Sequence, residues 1–305
     1  MVDDRAMLAA LTPRLHELVE RHLETTKEWF PHELVPWSRG RDFEPDEAWD
    51  ASEFEMADGV RSALFVNLLT EDNLPHYFET INRVFGDEPW RVWARRWTAE
   101  EMRHSTVIRD YATVTRALDP VALERARMSQ VAGGVVPQPT TVLDGLAYVA
   151  LQELATRVAH RNTGKLLDDP VGYEVMARVG ADENLHYLLY RDLVSAAIEL
   201  EPSAAVEAIE RQVRDFEMPG TGIPGFTRHA AAIARAGIYD LPTHHEQIVA
   251  PVVLRHWKVD RLEGLTPEGE AARCRVLELV EQIGTAAQRQ AERRERRREA
   301  ALSRA

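Results

Sequence analysis

The chain has 305 residues, of which 45% are hydrophobic, 29% charged and 7% aromatic, the balance of a soluble globular protein and not of a disordered or fibrous one. Lys+Arg total 37 against 50 Asp+Glu, a net charge of −13 that argues against gripping nucleic acid or an anionic membrane. The single cysteine, Cys274, excludes a disulfide framework and a cysteine-built zinc or iron–sulfur site within one chain, so a reducing cytoplasm is the expected compartment.

The N-terminus lacks the basic start and apolar run of a signal peptide, and no apolar run is long enough for a transmembrane helix. Helix formers and apolar residues at spacings of three and four dominate, while alternating β-branched runs are scarce. The pattern predicts an all-α chain, with helices over roughly 8–29, 51–85, 88–118, 141–167, 170–200, 203–216, 226–237, 243–257 and 267–300. Pro and Gly fall mostly between them, as at Pro45, Gly86 with Pro89, Gly133-Gly134 and Pro219 to Gly225. Pro75 lies inside a helical pattern and predicts a kink. The non-periodic stretch 120–140 reads as a connection between two helix pairs within a single domain spanning 1–305. The tail from about 288 to 305 is Arg-rich, with Arg293, Arg294, Arg296, Arg297 and Arg298 among Glu292, Glu295 and Glu299. It reads as a solvated or fraying helix end, or as a dock for an acidic partner.

Two segments share a pattern: Glu100-Glu101-Met102-Arg103-His104 and Asp182-Glu183-Asn184-Leu185-His186. Each is Glu-x-x-His preceded by an acid, and positions i and i+3 share a helix face. One such motif is weak, but these lie on apolar stripes. Trp93, Trp97, Ile108 and Tyr111 flank the first, and Met176, Val179 and Tyr190 the second. Each has an acid 30 residues upstream, Glu71 before Glu101 and Glu153 before Glu183. The chain therefore reads as two helical hairpins of one design. A buried carboxylate is costly unless paired or bound to metal.

Glu71, Glu101, Glu153 and Glu183 bring four negative charges, His104 and His186 are neutral as ligands, and two divalent cations cancel the total. Hard oxygen donors with two imidazoles suit iron or manganese better than zinc. The arrangement is that of a ferritin-like helix bundle with a di-iron carboxylate core, here with additional C-terminal helices. The competing reading is a bundle whose inner acids are held by Arg157 or Arg103. A ligating histidine normally donates its free ring N–H to a carboxylate, which nominates Asp182 for His104 and Glu100 for His186.

These residues resemble the soluble acyl-[acyl-carrier-protein] desaturase family, on Leu69-Thr70-Glu71-Asp72-Asn73-Leu74-Pro75, Arg96-Trp97-Thr98-Ala99-Glu100-Glu101-Met102-Arg103-His104, Gln152-Glu153-Leu154-Ala155-Thr156 and Ala181-Asp182-Glu183-Asn184-Leu185-His186. The likeness runs from about Trp29 to about Trp257 and looks closest to the actinobacterial branch. It implies that Glu71, Glu101, His104, Glu153, Glu183 and His186 hold two iron ions, with Glu101 and Glu183 bridging. It implies that Thr156 lies beside the oxygen-binding position, and that Trp37 connects through Asp182 to His104 as an electron route. Packing roles remain the alternatives for both. Met102 and Ser105 depart from the family's usual Asn and Gly.

The implied reaction uses O₂ and two electrons from a ferredoxin-type donor to remove two hydrogens from adjacent carbons of a saturated acyl chain, leaving a cis double bond. An acyl carrier protein would deliver the chain, and the family implies a homodimer. The carrier is acidic, so a local basic patch has to overcome repulsion; with only Lys27, Lys165 and Lys258, arginines must supply it. Rival uses of the same core are metal oxidation or peroxide removal, radical generation with Tyr111 or Tyr190, and acyl binding without turnover. No Gly-rich nucleotide loop or Gly-x-Ser-x-Gly elbow is present. His244-His245 reads as a surface pair near a helix start.

Overall fold

The structure, a computed structural model, describes residues 3–44, 46–86 and 88–302. Pro45 and the side chains of Arg297 and Arg298 lie outside that description. The described residues form helices and contain no strand. In order they are α1 Asp4–Thr25, α2 Pro31–Leu34, α3 Asp58–Glu71, α4 Leu74–Val84, α5 Trp90–Val114, α6 Pro120–Gly133, α7 Val142–Leu166, α8 Pro170–Leu200, α9 Pro202–Arg214, α10 Phe226–Ala236, α11 Leu241–His244 and α12 Pro267–Leu302. None is long and apolar enough to cross a membrane.

The boundaries follow local chemistry. Asp119 caps α6, accepting from Val121 N at 2.9 Å. Thr141 caps α7, accepting from Asp144 N at 3.1 Å. Asp169 caps α8, accepting from Val171 N, and Pro170 occupies the first turn, where its missing N–H costs nothing. The three residues between α7 and α8 force an antiparallel hairpin, the most extensively packed helix pair among the described residues. Tyr111 of α5 reaches Asp169 with its hydroxyl at 2.9 Å, passing over Gly172. A Cβ there would sit 2.4 Å from the Tyr111 oxygen, so only glycine admits the contact.

Three expectations are corrected. The helix expected over 51–85 is two helices, because Pro75 does not kink a continuous rod but occupies the first turn of α4 after a break at Asp72-Asn73. The stretch 120–140 contains α6, whose amphipathic pattern is faint because it buries little beyond Leu123 and Gln130. The helix expected over 243–257 runs from α11 into π-helical turns over His245–Val249 and Pro251–His256. In addition, His244 is not a free surface residue: it stacks on Phe216 at 4.9 Å and meets the Tyr239 hydroxyl at 2.9 Å. In the tail, α12 continues to Leu302, and Arg294 bonds Asp240 and the Arg235 carbonyl.

Helices α3, α5, α7 and α8 form the bundle that carries the charged core. Helix α1 lies along α8, α9 joins α7 to α12, and α10 covers α3. Two apolar clusters fill the interior. Along α5 the cluster changes between Trp97 and Val107, and along α8 between Val179 and Tyr187. The Glu-x-x-His motifs sit at both junctions, so a polar layer separates two dry regions.

Candidate metal centre

Glu71 is the last residue of α3; Glu101 and His104 lie mid-α5, Glu153 mid-α7, and Glu183 and His186 mid-α8. All six are 7% exposed or less. They form two overlapping groups, Glu71–Glu101–His104–Glu183 and Glu101–Glu153–Glu183–His186, with the ligand atoms of each within 4.8 Å of one another. Glu101 and Glu183 belong to both. His104 Nδ1 lies 3.2 Å from Glu101 and 3.4 Å from Glu183, while His186 Nδ1 lies 2.8 Å from Glu101 and 3.6 Å from Glu153.

Those contacts do not satisfy the atoms that make them. Glu101 Oε1, Glu153 Oε2, His104 Nδ1 and His186 Nδ1 are buried without hydrogen-bond partners. Burial, then the charges of Glu183 and Glu101, push the Glu153 carboxyl well up. Burial opposes charge on His104, but Glu101 and Asp182 overcome it and push that pKa well above the ordinary imidazole value. The protein alone therefore draws protons into this layer to offset its negative charge. Neither expected arginine relieves it: Arg103 bonds Asp182, and Arg157 makes no ion pair with the four glutamates. Each unpaired buried ion costs several kcal/mol, so orphaned lone pairs on hard oxygens and two imidazoles fit divalent metal ions.

The family profile described as fatty acid desaturase matches residues 3–304. The chain belongs to this desaturase family. DesA1 of Mycobacterium tuberculosis, which carries the name of an acyl-[acyl-carrier-protein] desaturase, is 41% identical over 281 residues, covering 88% of this chain and 83% of DesA1. Acyl-[acyl-carrier-protein] desaturase 6, chloroplastic, of Oryza sativa subsp. japonica is 32% identical over 319 residues, covering 92% of this chain and 76% of the rice protein. The X-ray structure of DesA2 from Mycobacterium tuberculosis H37Rv, titled as an acyl-ACP desaturase, matches with a TM-score of 0.71 at 25% identity, over 88% of this chain and 99% of DesA2. The ferritin-like helical architecture is thus the family's.

In this desaturase-family chain each histidine also faces an outer acid. His186 Nε2 lies 2.9 Å from Glu100, and His104 Nε2 lies 3.5 Å from Asp182. Asp182 also accepts from Arg103 at 3.0 Å and from Arg178. Burial raises its pKa, but hydrogen bonding and charge from His104, with Trp29 and Arg178, bring it down to about 2.

Trp37 is not part of this chain of contacts. It is 51% exposed, in a short turn, and its indole donates to the His32 carbonyl. Trp29 takes the place: its Nε1 donates to Asp182 at 2.8 Å, and its ring lies nearly parallel to His104, 6.4 Å away. The expected helix 8–29 ends at Thr25, so the extended segment beyond it carries Trp29 inward where a continued helix would not.

Three further side chains meet these acids, of which the sequence places Trp97 and His160 on apolar stripes without a role at the site and gives His22 no place in it. Trp97 Nε1 donates to Glu153 at 3.1 Å, His160 Nε2 lies 2.8 Å from Glu71, and His22 Nε2 lies 2.9 Å from Glu100. His160 shares the Glu153 stripe and His22 the Leu11–Leu15–Leu18 stripe, so their inward facing was readable although their partners were not.

Thr156 Oγ1 bonds Glu183 at 2.8 Å. Thr156 also lines a mainly apolar cavity of about 340 Å³ between α3, α7 and α10, with Glu217 and Thr221 in its wall. A second, smaller space shares Thr70 and Thr156 with it and touches Glu71, Glu101 and Glu183. Gly220, at φ +101°, keeps the wall thin at this point: a Cβ there would press on Thr70 at 3.1 Å.

Proposed function

We propose that this protein is an acyl-[acyl-carrier-protein] desaturase that uses two iron ions, O₂ and two electrons to place a cis double bond in a saturated acyl chain. One observation carries the reading: an apolar cavity shares Thr70 and Thr156 with a smaller space that touches Glu71, Glu101 and Glu183, members of two buried carboxylate–imidazole groups that have two glutamates in common. A ferroxidase or peroxidase has no use for such a cavity beside its metals.

Glu71 and His104 would hold one ion, Glu153 and His186 the other, with Glu101 and Glu183 spanning both. Bound iron supplies the O₂-dependent oxidising power that no side chain has, since an alkane C–H is too weak an acid for general base catalysis. The balance is one CH₂–CH₂ unit, O₂, two electrons and two protons giving CH=CH and two waters. The residues position and exclude. Thr156, in the cavity wall, holds the Glu183 carboxylate, and His160 holds Glu71. The apolar walls, with Phe226, Ala230 and Ile233 among them, keep bulk water away and present a short stretch of chain to the centre. Trp29, Asp182 and His104 would form the route by which a ferredoxin-type donor delivers electrons. A homodimer in the cytoplasm, each chain one domain, completes the proposal.

The test is anaerobic reconstitution with Fe(II), then incubation with a ferredoxin reducing system, O₂ and stearoyl- or palmitoyl-carrier protein. An unsaturated acyl product is expected, and Ala230→Phe should cut its yield tenfold or more while iron content stays unchanged (roughly 1.4 kcal/mol per factor of ten). Iron uptake with O₂ consumption but no acyl product at any chain length would favour the oxidase reading.

A further inference from the structure

Helix α1 contributes none of the glutamates, yet it delivers one buried polar side chain to the edge of the centre. His22 is 4% exposed, and its Nε2 lies 2.9 Å from Glu100 Oε2. The same oxygen lies 2.9 Å from His186 Nε2, while Glu100 Oε1 accepts from Arg96 at 2.6 Å. The two imidazoles stack 5.7 Å apart at 19°, and Trp93 meets His22 edge-on at 5.0 Å.

An ionised carboxylate only accepts hydrogen bonds. Both imidazoles must then carry hydrogen on Nε2, and in the neutral ring, the form that can bind a metal ion, this places the lone pair of His186 on Nδ1. That nitrogen lacks a hydrogen-bond partner and faces Glu101 and Glu153.

We infer that His22 is a positioning residue of the metal centre: by sharing Glu100 with His186, it fixes the His186 ring in the tautomer and orientation that offer Nδ1 to a metal ion. Without His22, Glu100 keeps Arg96, which is 43% exposed at its side chain, and the carboxylate can follow that guanidinium outward. His104 has a different support, since Asp182 is held by an indole and two guanidinium groups. The effect therefore belongs to the His186 side. The inference rests on the proposed metal centre and not on the acyl substrate.

The same three groups offer ligand atoms within 4.8 Å of one another, so a third metal ion is the competing occupant. Separations of 2.9 Å with a carboxylate between two N–H donors are hydrogen-bond geometry, which favours the positioning role.

The test is anaerobic titration of the full-length apo-protein with Co(II), read by visible absorption and equilibrium dialysis. His22→Phe should weaken one of two binding steps by about 10- to 100-fold, the usual cost of losing such a support. His22→Gln, whose amide can donate to Glu100, should stay within a few-fold of wild type. Leu18→Ala should lower thermal stability yet leave affinity unchanged. His22→Phe combined with Glu100→Gln should cost no more than the worse single change, because one acts through the other. Should His22→Phe not fold, His22→Asn, too short to reach Glu100, takes its place. Wild-type affinity in the His22 variant, an equal loss in Leu18→Ala, additive costs, or a third equivalent that vanishes with His22 would each overturn the inference. A wild-type protein that takes up no cobalt would end the metal-centre reading and this inference with it.

Discussion

The two Glu-x-x-His groups are alike at the centre and unlike around it. In both, an imidazole Nδ1 faces shared carboxylates while Nε2 faces an acid one residue before the other motif's glutamate. The surroundings differ. On the His104 side the upstream acid, Glu71, is the last residue of a helix that breaks at Asp72-Asn73, and it borders the small space that shares Thr70 and Thr156 with the cavity. The negative end of a helix is a poor place for a carboxylate, and His160 meets it there. On the His186 side Glu153 sits mid-helix, fully buried, with the Trp97 indole on one oxygen. Equal sequence spacing thus produces one inner geometry with two outer environments. One side neighbours an apolar cavity, and the other is braced by α1.

The comparison breaks most sharply at the residues both sides share. Glu101→Ala or Glu183→Ala should strip metal from both positions, whereas Glu71→Ala or Glu153→Ala should spare the opposite one. Iron content would fall toward none in the first pair and toward half of the wild-type value in the second, with acyl turnover abolished in all four. Metal removal comes next. Apo-protein retains the repulsion of four buried acids, so saturating Fe(II) under anaerobic conditions should raise the melting temperature by roughly 5–10 °C, read by scanning calorimetry. Unchanged melting with tightly bound iron would mean that the acids are already satisfied.

Smaller effects separate the outer environments. Trp29→Phe removes the indole donor to Asp182 while keeping a ring beside His104. Donor-supported turnover should drop about tenfold at unchanged iron content, the worth of one hydrogen bond to a charged group. Trp37→Phe, at an exposed indole, should match wild type. A control belongs to neither side: burial, then His245, holds His244 down to about 4, from an ordinary 6.5. Between those values the unfolded chain binds a proton that the folded one refuses, so stability present above pH 6.5 is lost as the pH falls toward 4. The loss is roughly 3 kcal/mol, and His244→Phe should flatten that part of a urea-denaturation profile.

Much of this was readable in one dimension. The helical spacing specifies an all-α chain, and the placement of Glu101, His104, Glu183 and His186 on apolar stripes turns them inward. Glu71 and Glu153 followed from equal spacing. Less followed where local pattern was faint or interrupted. The break before Pro75 and the helix over Pro120–Gly133 are not legible in the sequence, because one residue type or a weak apolar stripe does not decide between kink, break and connection.

What the sequence determined by itself was the inner set of buried carboxylates and imidazoles, because periodicity governs which side chains share a face. The outer contacts were decided by tertiary structure alone. Trp29 rather than Trp37 meets Asp182 because the chain leaves its helix at Thr25 and turns inward, and His22 meets Glu100 because α1 happens to lie along α8. Those are contacts between residues 78 and 153 positions apart, and no repeat along the chain encodes them.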